Sequence, residues 1–256
     1  MKKYLCLFAA FTVAVSCQKT EFRTAEKTDT DGIRMGTVVT HTMLSTEMNR
    51  MMNTTVWLPP GYDANKEYPF LYLLHGATDD NNSWNQKGDA SSFADRYVSK
   101  GGVPMVIIMP DALLTFYRGD FEAFFYNSLM PAVEGKYHCN GKRAVAGLSM
   151  GGFGTVYYCL KYPDKFTYGY AMSPASDLSL FSSLASARPS GDFPRMTVES
   201  GTDDGTVKIA GVRDMVSMLT AYGLPVNFIE RSGGHEWGFW KACLEKALDK
   251  VGGSFK

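Results

Sequence analysis

Arg143-Ala144-Val145-Ala146-Gly147-Leu148-Ser149-Met150-Gly151-Gly152 is the stretch on which the fold turns. A short apolar run leads into G-x-S-x-G, and a segment with helical spacing follows over 152–162, ended by Pro163. A serine needs this arrangement to become a nucleophile. The sharp strand-to-helix turn exposes its hydroxyl, and the flanking glycines let neighbouring backbones close in. The helix start turns free amide groups and the positive end of its dipole toward the reacting centre. The pattern alone is weak, since glycine and serine are common; its place between strand and helix gives it weight.

Outward from this turn the chain repeats the same alternation. Short apolar runs without a polar face lie at 70–74, 106–109, 144–146, 168–172, 196–199 and 226–229. Such runs suit strands buried on both faces. Helical stretches are expected over 92–100, 121–137 behind the candidate N-cap Asp120, 152–162, 207–222 ended by Gly223, and 237–251. Two alternating segments, 37–44 and 51–58, precede them and end at Pro59-Pro60-Gly61, as an antiparallel pair would. The expected fold is α/β: a central, mostly parallel sheet with antiparallel N-terminal edge strands and helices on both faces. No repeat, long linker or change of composition divides the body, so a single domain is expected over 32–256.

In such sheets ligands sit at the carboxyl ends of the strands, so the residues after each run carry the chemistry. Ser149 requires a base, and the chain has 4 histidines: His41, His75, His138 and His235. This architecture uses the order serine, acid, histidine, and His235 alone follows both Ser149 and a further strand-end acid. The acid comes from Glu199-Ser200-Gly201-Thr202-Asp203-Asp204-Gly205, where Asp203 and Asp204 both qualify. The one not facing His235 is left as a solvated loop residue or a cap for the helix near Val207. Two backbone donors for an oxyanion are expected at Met150, directly after the serine, and at Ala77 in His75-Gly76-Ala77 after an earlier strand. His75 is read as the histidine that holds this loop.

The 256 residues carry 26 Lys+Arg and 26 Asp+Glu, with 45% hydrophobic and 20% charged residues. That is enough apolar content for one substantial core and excludes disorder, collagen and coiled coil. With zero formal net charge and scattered signs, no basic stripe for nucleic acid is found. The sequence offers no metal site and calls for no cofactor: His138-Cys139 stands without further ligands. It does not set an oligomeric state.

The opening MKKYLCLFAAFTVAVSC has Lys2 and Lys3, then an apolar run over 4–15, then Ser16 and Cys17. The run has the length of a signal-peptide core and is too short to span a bilayer. Ala14-Val15-Ser16-Cys17 resembles the lipobox of bacterial lipoproteins, in which the cysteine is lipidated and becomes the first mature residue. The expectations are a signal peptide over 1–16, lipidation at Cys17, a flexible tether over 17–31, and a lipid-anchored domain in the bacterial cell envelope. Removing Cys6 and modifying Cys17 leaves Cys139, Cys159 and Cys243, an odd number, so at least one thiol stays free.

Several segments together resemble the esterase D-like branch of the α/β-hydrolases, which includes feruloyl and acetyl-xylan esterases, tributyrin-type carboxylesterases, S-formylglutathione hydrolases and mycolyltransferases. They are Trp57-Leu58-Pro59-Pro60-Gly61-Tyr62, Tyr72-Leu73-Leu74-His75-Gly76 with Trp84, Leu129-Met130-Pro131, the Ala146 to Gly152 turn, Tyr162-Pro163-Asp164-Lys165-Phe166, Gly201-Thr202-Asp203-Asp204, and Gly234-His235-Glu236-Trp237 with Trp240-Lys241. The resemblance favours Asp204 over Asp203 and puts the family's oxyanion donors on Ala77 and Met150. It implies a serine esterase acting on a small ester or an acylated oligosaccharide, with feruloyl or acetyl groups on plant polysaccharide fragments as the first expectation. The alternatives are a generic short-chain carboxylesterase, an acyltransferase to a sugar, and a catalytically silent glycan-binding lipoprotein. S-formylglutathione hydrolysis, a cytosolic task, fits the export signal poorly. Larger relatives insert a lid where this chain has only about twenty residues between Pro174 and Met196, which implies an open or shallow acyl pocket. Trp84, Trp237 and Trp240 are candidates to line an aromatic-accepting site, against the competing reading that they pack the core.

Overall fold

The computed structural model describes residues 27–188 and 192–256. The expected signal peptide, the lipidation site Cys17 and most of the expected tether lie outside the described residues. The last part of that tether, from Lys27 on, is built into a small bridged turn: Thr28 pairs with Arg34, and Asp29 Oδ1 accepts the N–H groups of Asp31 and Ile33.

The sheet has 8 strands: β1 (Thr37–Ser45), β2 (Arg50–Leu58), β3 (Tyr68–Leu74), β4 (Val106–Pro110), β5 (Cys139–Leu148), β6 (Tyr168–Met172), β7 (Arg195–Gly201) and β8 (Val226–Arg231). Their spatial order is β1-β2-β4-β3-β5-β6-β7-β8. β1 and β2 run antiparallel to each other, and β2 to β4; every pairing from β4 through β8 is parallel. β3, β4 and β6 are buried along their whole length, which is why their sequences show no alternation. β1, at the edge, alternates between half-buried and exposed positions.

The helices are α1 (Ser83–Gln86), α2 (Ala90–Ser99), α3 (Asp120–Phe124), α4 (Met130–Tyr137), α5 (Met150–Lys161), α6 (Leu178–Ser186), α7 (Ile209–Ala221) and α8 (Trp237–Ser254). Two apolar layers result. One packs Phe121, Phe125, Phe153, Phe181 and Met215 from α3 to α7 on one face of the sheet. The other packs Trp84, Ala94, Trp240, Leu244 and Leu248 from α1, α2 and α8 on the opposite face.

Two expectations are corrected, and one helix appears where none was expected or excluded. The helix expected over 121–137 is interrupted by a π turn at Phe125–Leu129, between α3 and α4. Pro131 has no N–H to return to the preceding turn, and the wide turn accommodates it. Asp120 is not its N-cap: Gly119, at φ 61°, holds that place without a side-chain bond, and Asp120 lies in the first turn. The segment after Pro174 forms α6, begun by Asp177, whose carboxylate accepts the Leu180 N–H at 2.9 Å.

Candidate active site

Ser149 sits between the end of β5 and the first residue of α5, at φ 52° and ψ −112°. Its N–H donates to Met172 O at 2.9 Å, tying the turn to β6. The glycines around it are needed for their missing side chains. A Cβ on Gly151 would collide with the carbonyl oxygen of Leu74 and stand 2.7 Å from that of His75; one on Gly147 would stand 2.5 Å from Gly151 O. A Cβ on Gly152 would be 2.8 Å from Pro174 Cα. The tip of β3, the serine turn and the start of α5 are therefore in backbone contact.

The structure brings Ser149, His235 and Asp204 together. His235 Nδ1 lies 2.7 Å from Asp204 Oδ2, and His235 Nε2 lies 2.9 Å from Ser149 Oγ. An ionised carboxylate can only accept, so Nδ1 carries the proton and the free lone pair of Nε2 accepts the Ser149 hydroxyl. Asp204 is buried, and its second oxygen, Oδ1, accepts the N–H groups of Thr206 at 2.9 Å and Val207 at 2.7 Å. These bonds brace the turn before α7 and are not a helix cap: the N-cap of α7 is Lys208, without a side-chain bond, so neither acid takes the capping role expected of one of them. Asp203 is exposed; its Oδ2 accepts Ser232 Oγ–H at 2.7 Å and the Gly233 N–H at 3.0 Å, bracing the loop that carries His235. Those bonds hold the Asp203 carboxyl below its ordinary range, the Ser232 hydroxyl first and the Gly233 amide second.

Met150 directly follows the serine, and Ala77 follows Gly76 in the loop after β3. Among the described residues neither amide donates to a backbone carbonyl. An added Cβ on Gly76 would come within 3.6 Å of Ser149 Cβ, which places this loop beside Ser149. His75 is buried beneath it, with Nδ1 2.7 Å from Gly76 O and Nε2 accepting the Ala112 N–H at 2.9 Å. His41 instead contacts the Tyr137 hydroxyl, and His138 closes α4 at φ 55°.

The tryptophans divide. Trp84 is fully buried, its indole N–H donating to Leu74 O at 3.0 Å, so it is a core residue rather than part of an aromatic-accepting wall. Trp240 is also buried, edge-on to His235 with ring centroids 4.9 Å apart. Trp237 is half-buried and perpendicular to both other indoles. Cys139, Cys159 and Cys243 are all free thiols. Among the described residues no group of three or more His, Cys, Asp or Glu side chains is placed to hold a metal.

Sequence reasoning missed a buried ionic group under the acid–base loops. Glu199 on β7 accepts from Arg231 Nε at 2.5 Å, Lys246 Nζ at 2.7 Å and the Tyr170 hydroxyl at 2.5 Å. Arg231, at the end of β8, also donates to Phe239 O at 2.8 Å and lies over the Phe239 ring. β7, β8 and α8 are pinned together immediately before the loops bearing Asp204 and His235. The available signal was a lone glutamate in an otherwise apolar run, which a buried strand tolerates only with partners.

Comparison with known proteins agrees with this architecture. The Esterase family model matches residues 45–113 and 115–251. An endo-1,4-beta-xylanase/feruloyl esterase from Xylanibacter ruminicola is 26% identical over 238 residues, covering 86% of this chain and 32% of that protein. The chain therefore spans about a third of that relative's length. An acetyl esterase from Caldicellulosiruptor saccharolyticus is 24% identical over 224 residues, covering 70% of this chain and 81% of its own. Among solved structures, a ferulic acid esterase superposes with a TM-score of 0.78 at 29% identity, covering 87% of this chain and 99% of its own. The family model, the sheet order and the serine turn together show that the chain belongs to the Esterase family and has the α/β-hydrolase fold.

Proposed function

We propose that this chain is a serine esterase that removes feruloyl or acetyl groups from plant polysaccharide fragments through an acyl-enzyme. The observation that carries the reading is the line Ser149 Oγ–His235 Nε2 at 2.9 Å and His235 Nδ1–Asp204 Oδ2 at 2.7 Å. In this reading His235 takes the hydroxyl proton as Ser149 attacks the ester carbonyl, and Asp204 holds the resulting imidazolium. The amides of Ala77 and Met150 receive the oxyanion, a contribution of several kcal/mol. His235 returns the proton to the leaving alcohol; water, deprotonated by the same imidazole, then releases the acid and restores Ser149.

The acyl and sugar parts of the proposal draw on the xylanase/feruloyl esterase, ferulic acid esterase and acetyl esterase relatives. The acetyl esterase also supports a second reading, a short-chain carboxylesterase of broad alcohol range. Nitrophenyl acetate, nitrophenyl butyrate and methyl ferulate, tested with wild type and Ser149→Ala, separate the two. Preference for methyl ferulate supports the first reading and confinement to the short nitrophenyl esters the second; absence of Ser149-dependent turnover on all three rejects both. Envelope anchoring through Cys17 is part of the same proposal, tested by mass spectrometry of the mature N-terminus of wild type and Cys17→Ser.

A further inference from the structure

We infer that the imidazole of His75 fixes the direction in which Ala77 presents its backbone N–H, making His75 the positioning residue of the oxyanion site. The inference rests on the serine-esterase reading above and adds the group that orients one of its donors.

The peptide unit joining Gly76 and Ala77 contains the Gly76 carbonyl and the Ala77 N–H. In a trans peptide these two groups point in opposite directions, and the described residues contain no cis bond. Gly76 O is held by His75 Nδ1 at 2.7 Å. Which ring nitrogen carries the proton is set by the other partner. The Ala112 N–H can only donate, so Nε2 accepts it at 2.9 Å and the proton resides on Nδ1. With its carbonyl drawn down to the buried ring, the peptide turns the Ala77 N–H the other way, toward the face where Ser149 lies beside Gly76.

The preceding peptide is fixed as well. Tyr117, buried and at φ 58°, donates its hydroxyl to His75 O at 2.9 Å. The Asp111 carboxylate, 3.7 Å from His75 Nε2, is engaged with the Leu113 N–H at 2.9 Å. Burial lowers the His75 pKa and keeps the ring neutral, as the two opposed hydrogen bonds require. Without the ring, Gly76 O keeps only the Asp79 N–H at the longer distance of 3.3 Å, and the Gly76–Ala77 peptide is held less firmly against a flip. A flip would remove a donor and aim a carbonyl oxygen at the developing negative charge.

The test compares wild type, Ser149→Ala, His75→Asn and His75→Gln on a nitrophenyl ester, with a thermal melt of each. The amide of an Asn reaches the place of Nδ1 and that of a Gln the place of Nε2. H75N therefore keeps a donor for Gly76 O, and H75Q keeps only a partner for Ala112. We expect kcat of H75Q to fall about 10²-fold, the loss of one oxyanion donor, with KM within about threefold of wild type. H75N should stay within about tenfold of wild type in kcat. Equal losses in the two variants, or losses that simply follow their melting temperatures, overturn the inference. Nitrogen NMR of the wild-type imidazole tests it without any variant: protonation of Nδ1 at neutral pH supports it, and protonation of Nε2 overturns it. A wild type without Ser149-dependent turnover rejects the esterase reading and this inference with it, a result distinct from an active wild type with indistinguishable His75 variants.

Discussion

The two halves of the site are held by different physics. The serine half, at the ends of β3 and β5, is fixed chiefly by absence: Gly147, Gly151 and Gly152 bring backbones into contact, and two neutral side chains, His75 and Tyr117, hold the carbonyls of the loop after β3. The acid–base half, at the ends of β7 and β8, is fixed by charge. Asp204 and Asp203 gather the N–H and O–H groups of their loops, and Glu199 binds Arg231 and Lys246 beneath them. The division follows from the tasks proposed for each half. Donors that must present bare N–H groups need close backbone packing, whereas a ring that must acquire a proton needs anions around it.

The largest expected effect breaks the charged half at its centre. Asp204→Asn should lower kcat by about 10⁴-fold, because an amide N–H facing Nδ1 favours the wrong tautomer; steady-state kinetics with an intact thermal melt would show it. Next, a methyl group should separate the halves cleanly. Gly151→Ala forces a Cβ onto the Leu74 and His75 carbonyls and should cost about 3 kcal/mol or more in a urea titration. Gly234→Ala, in the His235 loop with open space around its Cβ, should change stability by no more than about 0.5 kcal/mol. Glu199→Ala leaves Arg231 and Lys246 facing each other without their anion and should destabilise by about 3 kcal/mol. Glu199→Gln, which keeps an acceptor for both cations, should lose less.

The smallest effect distinguishes the halves by pH. Burial lowers the His75 pKa, so the unfolded chain takes up protons at that position before the folded one does. Stability from His75 is present above its ordinary value of 6.5 and drains away as pH falls below it. Glu199 is lowered for a different reason: burial pushes its carboxyl up, but Lys246, Tyr170 and Arg231 outweigh that and hold it low. Its contribution is intact above the ordinary 4.5 and is lost as pH falls from there through the depressed folded value. Between pH 6.5 and 5 the melting temperature of wild type should therefore fall more steeply than that of His75→Asn. Parallel slopes would contradict a buried neutral His75.

Most of the sheet was legible because strands buried on both faces, such as β3 and β4, leave unbroken apolar runs. The serine turn was legible because its glycines serve steric needs that no other residue meets. Less visible were features whose partners lie far away along the chain. Glu199 meets Arg231 and Lys246 only after β7, β8 and α8 have assembled. The choice between Asp203 and Asp204 depended on side-chain direction, and both turn out to organise the same pair of loops. α6 carried no expectation: its serines are weak helix formers, and its start rests on a single cap at Asp177. The π turn had one visible mark, Pro131, but a proline in a helical pattern does not by itself say whether the helix ends, kinks or widens.

Ser149 adopts φ 52° and ψ −112°, a conformation that a side chain resists and that glycine enters freely. Ser149 is thus a local weak point that the surrounding contacts hold in place. Ser149→Gly should be inactive yet melt higher than wild type, with a gain of about 1 kcal/mol. In the proposed reading, that strain is the cost of holding the Ser149 hydroxyl out on a sharp strand-to-helix turn.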